Sequence, residues 1–171
     1  MIGERAMPWG AISVVALSAW LGAAILVAAV VAPAAFAVLP TRSLAGALVG
    51  RVLPTLFYAG AAVGIVAALL SRTEPPSLAR LIAGVVMVVT CLAAQLLVAP
   101  RIERVRIDAG GPIDELKAGD PRRAAFGRLH GVSVLLLGVA AVAGGVALVL
   151  TLRSMPLAVP ANGLPPNPVE H

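Results

Sequence analysis

The sequence predicts an all-α integral membrane protein folded as a four-helix bundle, and three observations carry that prediction. Hydrophobic residues make up 60% of the 171-residue chain and charged residues only 12%. Soluble domains sit near 45–50% and 25%. The apolar residues fall in charge-free runs, and crossing a bilayer takes about 20 residues. Four such runs are present, separated by segments that hold nearly all the arginines.

The first run spans about residues 11–39. Its triplet Ala35-Phe36-Ala37 has the small-x-small form of a signal cleavage site. A signal core, however, is only about 7–15 residues long, so the run reads as a retained span. The second covers 52–70, after Arg51, and continues a helix begun near Thr41 and bent at Pro54. The third covers 81–99 and closes at Pro100-Arg101. A polar loop then runs over 100–128, where Gly110-Gly111-Pro112 breaks the chain and 112–118 can form a short helix ended by Gly119. Asp120-Pro121 supplies an N-cap and a proline at the first helical position. The fourth helix therefore starts before its membrane span, 129–152, which stops at Arg153 and Pro156. Residues 156–171 read as a Pro-rich disordered tail. No internal repeat is evident.

Lys and Arg counts set orientation. Arg5, Arg72, Arg80 and Arg153 share one side, four in all, and the first and third loops carry the other nine. The expectation is an inner-membrane protein with those two loops cytoplasmic and both termini outside. The net charge of +5 thus reflects orientation. No aromatic-interleaved basic surface suggests nucleic acid. The single cysteine, Cys91, excludes an intrachain disulfide.

Helices in lipid associate through small residues. Gly60-x-x-x-Gly64 has that form, and so does the stripe Gly127, Gly131, Gly138, Gly145, in which the spacing of seven from Gly131 through Gly138 to Gly145 predicts a left-handed crossing, within the monomer or in a homo-oligomer. Polar residues inside a membrane mark functional sites by default. Thr55, Tyr58, Gln95, His130 and Ser133 are expected in one leaflet as a polar cluster around His130. Arg51, Arg101 and Arg128 would stand above it among the lipid headgroups. Met87 and Cys91, one turn apart, are soft donors suited to Cu(I), although mid-membrane residues of this kind more often fill a core. With His130 they make the one candidate copper or haem ligand set. The spans hold no Asp or Glu, which argues against a carboxylate-driven ion carrier, and no phosphate loop, metal-finger spacing or G-x-S-x-G motif is present.

Several short motifs resemble one family. They are Trp20-Leu21-Gly22, Val31-Ala32-Pro33-Ala34-Ala35-Phe36, Val98-Ala99-Pro100-Arg101-Ile102 and Phe126-x-x-Leu129-His130-x-x-Ser133. Over about Pro8 to Leu152 the chain resembles the transmembrane protein 205-like family, small four-helix membrane proteins. That resemblance implies a four-helix bundle and a motif containing His130, with no established reaction. A more distant likeness, to copper-resistance protein D and the membrane-bound protoporphyrinogen oxidases, implies a histidine ahead of the tryptophan. Leu17-Ser18-Ala19 stands there instead. The expected function is a non-enzymatic accessory or stress-related membrane subunit, alone or in a larger complex, or a small-solute carrier. The alternative is a haem- or copper-binding redox protein using His130 with Met87 or Cys91.

Overall fold

The computed structural model describes residues 9–72 and 76–155. The tail expected over 156–171 lies outside them. Four long apolar helices, Trp9–Val38, Arg42–Leu70, Leu78–Ala109 and Pro121–Ser154, run up and down, each long enough to cross a membrane. The chain is a multi-pass membrane protein. Each helix packs on its neighbours in sequence, and the first closes the ring on the fourth.

The helix starts follow the capping rules. Thr41 accepts a hydrogen bond from the Leu44 N–H, Ser77 from Arg80 and Asp120 from Arg122, each satisfying a donor that the first turn leaves open. Gly110, with φ 67°, takes the left-handed conformation that ends the helix before it, whereas Gly119, with φ 100°, ends no helix and lies in a turn closed by the Asp120 N–H on the Lys117 carbonyl. Pro112 is followed by a single 3₁₀ turn, Ile113–Glu115, in place of the expected short helix.

The helices are longer than the apolar runs. The third does not close at Pro100 but continues to Ala109, so the polar connection is only about residues 110–120. Two features let it pass the proline. A π-helical segment, Ala94–Val98, precedes Ala99 and Pro100, putting the proline at a position where a missing N–H costs little. The Arg101 guanidinium also donates to the Leu97 carbonyl.

An internal repeat, invisible in the sequence, emerges here. The first helix has its own π-helical segment, Val27–Val31, followed by Ala32-Pro33, 67 positions before its counterpart. At the same offset Ser13, Leu17, Trp20 and Ala24 match Arg80, Gly84, Met87 and Cys91, all buried. The second and fourth helices match at an offset of 83. Gly60, Ala61 and Gly64 correspond to Ala143, Gly144 and Ala147, again all buried. Ser71 donates to the Ala68 carbonyl at 2.6 Å, and Ser154 to the Thr151 carbonyl at 2.8 Å. The molecule is two helical hairpins built alike. Only Val-Ala-Pro and scattered small residues are shared, and the turn inside each hairpin differs in length, so direct sequence comparison misses the match.

The core lies where the hairpins meet. The Trp20 indole donates to the Leu56 carbonyl at 2.9 Å, and Leu17, Met87 and Cys91 have no exposed surface. A Cβ added to Gly60 would lie 2.7 Å from the indole Nε1 and 2.8 Å from Cys91 Sγ. One added to Gly64 would meet the Gly84 carbonyl at 3.0 Å, and one on Gly84 the Gly64 carbonyl at 2.9 Å. The second and third helices therefore touch backbone to backbone, as small residues in lipid allow.

Candidate functional site

The five residues of the expected polar cluster, His130 among them, occupy three environments. Ser133 is buried and Gln95 is half-buried, while Thr55, Tyr58 and His130 lie on the outer surface. The cause is rotation of the helices about their axes. The second turns Leu56, Phe57 and Gly60 inward and so carries Thr55 and Tyr58 outward. The fourth turns Ser133, Ala140, Gly144 and Ala147 inward, and His130 falls outside that line.

His130 finds a different partner. Its ring stacks on Phe126, centroids 6.2 Å apart and planes 5° from parallel. The Arg106 guanidinium lies 5.5 Å over the centre of the same phenyl ring, a cation–π contact. Arg106 also approaches the second helix, within 3.6 Å of where a Gly50 side chain would begin, and stands 4.0 Å from Glu103. This ladder ties the extension of the third helix to the start of the fourth. Its chemistry is positional, because imidazole and guanidinium both rest on the same phenyl ring. Nearby, Arg122 holds Asp120 through a 2.8 Å ion pair, and its hydrogen bonds keep the Asp120 carboxyl down at about 2.

Gly60 and Gly64 sit in the helix contact where the sequence put them. Gly131, Gly138 and Gly145 do not: no side chain or backbone lies within 4 Å of a Cβ built on any of them. That stripe faces outward, and the inner face uses another set of small residues, Ala140, Ala143, Gly144 and Ala147. Arg51, Arg101 and Arg128 are exposed. Met87 and Cys91 point into the core beside Gly144 and Gly60.

The buried polar residues gather mainly at the opposite end of the bundle. Ser13, Ser71, Arg80 and Thr151 are each less than 8% exposed, and Arg80 reaches Ser154 Oγ at 3.4 Å. Arg80 takes the place in the second hairpin that Ser13 holds in the first. In the sequence it counts only as an orientation signal. The clue lay in its position, three residues into the third helix and one turn before Gly84, on what proves to be the packed face.

Among the described residues no group of three or more His, Cys, Asp and Glu side chains comes together as a metal site. The copper or haem donor set also does not converge, since His130 is on the outside while Met87 and Cys91 are within the core. Comparison with protein families finds a match over residues 15–110, more than half of the chain, to the domain of unknown function DUF4149. No curated protein and no solved structure matches the chain.

Proposed function

Since the chain belongs to the DUF4149 family, a domain of unknown function, we propose that it is a non-enzymatic accessory subunit of a larger assembly in the inner membrane. It acts through its outer surface. The observation that carries this reading is the filled interior. Leu17, Trp20, Met87 and Cys91 occupy the axis along which a solute would pass, and Gly60 is already in contact with two of them. A small-solute carrier would need those side chains to move. A haem or copper centre would need His130 brought in from the surface.

On this reading Thr55, Tyr58 and His130 are contacts for neighbouring protein or lipid, while Arg51, Arg101 and Arg128 stand at the headgroup boundary, open to headgroups or to acidic residues of a partner. Both termini lie outside the cytoplasm, by the arginine asymmetry. The finer kinship with the transmembrane protein 205-like family rests on sequence alone, on Trp20-Leu21-Gly22, the two Val-Ala-Pro stretches and Phe126-x-x-Leu129-His130-x-x-Ser133.

The test is migration of the tagged chain in mildly solubilised native membranes. An accessory subunit travels far above its own 17.2 kDa, and migration as a single chain sinks the reading. A parallel measurement introduces cysteines at Thr55, Gln95 and Ser133. Rapid labelling of all three by a charged, water-soluble thiol reagent would favour a carrier.

A further inference from the structure

The outer side of the second hairpin carries a shallow apolar groove of about 860 Å³ between the third and fourth helices. Ile82 and Val86 form one wall, and Leu135, Gly138, Val139 and Val146 are prominent on the other. Along the fourth helix it runs from Val134 to Val146, about 18 Å at 1.5 Å per residue. Leu135, Val139, Val142, Val146 and Val149 fall within about 40° of one line at helical periodicity. Continued in both directions, that line meets Arg128 at one end and Arg153 at the other, both exposed. The two arginines are 25 residues apart, about 37 Å along the helix. That separation suits headgroup regions on either side of a hydrocarbon core about 30 Å thick. The groove is thus centred near the bilayer midplane and framed by positive charge at both boundaries.

We propose that this groove docks one transmembrane helix of another membrane protein, with acidic residues at both of its membrane boundaries. The inference rests on the accessory-subunit reading and names the surface and the chemistry of the partner. Three occupants compete for such a face. A second copy paired by two-fold symmetry inserts the same way up, so Arg128 would face Arg128 and Arg153 would face Arg153. A phospholipid held at either arginine lays its tail along half of the groove. An apolar helix covers its whole length, approaches closely over Gly138, and pairs acidic ends with both arginines.

The test uses two labelled synthetic helices of about 20 apolar residues, one flanked by Glu and the other by Lys. Their energy transfer to the full-length protein is measured in vesicles of neutral phosphatidylcholine. The Glu-flanked helix is expected to associate about ten-fold more tightly, from two boundary ion pairs. Gly138→Trp should abolish association by filling the groove. Gly22→Trp, equally open but on the first helix, should leave it unchanged. The double reversal Arg128→Glu, Arg153→Glu should transfer the preference to the Lys-flanked helix. Equal association of the two helices, or no effect of Gly138→Trp, overturns the proposal. Disulfide-linked dimers of Val142→Cys would assign the groove to a second copy instead. If neither helix binds while the chain still migrates in a large assembly, the docking face lies elsewhere and the accessory reading stands. Migration as a single chain removes both.

Discussion

Gly84 and Gly138 show how much a glycine's surroundings decide. A Cβ on Gly84 meets the Ala68 N and the Gly64 carbonyl oxygen, both at 2.9 Å. Backbone cannot swing aside as a flexible side chain can. Gly84→Ala should destabilise the protein by about 1–3 kcal/mol, read as a lower melting temperature in detergent. Gly138→Ala, with open space around it, should stay within about 0.5 kcal/mol. Trp20→Phe keeps most of the ring's burial but leaves the Leu56 carbonyl without the indole donor. A cost of about 1–2 kcal/mol is expected, and tryptophan fluorescence would report the missing core indole directly. Of the glycines in the contact between the second and third helices, the sequence marked Gly60 and Gly64 but not Gly84. A lone glycine among Ala, Val and Met gives no pattern until its neighbour across the interface is known.

At the scale of elements, starts and stops were legible because capping is local chemistry. Thr41, Asp120 and Gly110 act within a few residues of their own positions. Asp120 yields a pH prediction. Its folded carboxyl is held down at about 2, below its ordinary value of 3.8, because Arg122 bonds the ionised form. The stabilisation is therefore full above 3.8 and is lost as pH falls through about 2. Asp120→Asn should melt lower than wild type near neutral pH, and the gap should close in a melting series taken down to pH 2. Helix extent was harder to read, as Pro100 shows. A proline usually ends a helix, but here the preceding π-helical segment and Arg101 accommodate it. Neither device leaves a mark in local composition.

At the scale of the whole molecule, the arginines at 128 and 153 set a membrane frame that labelling can check. Cysteines replacing Val139, Val142 and Val146 should resist a charged thiol reagent in intact vesicles, while cysteines at 128 and 153 should react, one from each side. Reaction at all five would mean the fourth helix does not span. The repeated hairpins add a second expectation. Ser71→Ala and Ser154→Ala remove equivalent hydrogen bonds and should lower stability by similar amounts, each about 1 kcal/mol. The larger loss should fall on Ser154, which also receives Arg80. The exchange of Ser13 for Arg80 thus gives the Ser154 end of the second hairpin its own character.

By itself the sequence determined the number of helices, their approximate spans and the cap at Asp120. Lipid offers no hydrogen bonds, so an apolar run of that length has to be a helix. It could not determine which face of each helix turns inward. In water polarity marks the outer face, but here both faces are apolar, and lipid is as good a solvent for valine as the core is. The fourth helix carries two small-residue stripes, and the chain alone does not rank Gly131-Gly138-Gly145 against Ala140-Gly144-Ala147. Only the tertiary structure did, through the fit of Trp20 and Met87 against Gly144. The same rotation moved His130 from an expected polar centre to an exposed stack on Phe126 and set the buried polar residues at the other end.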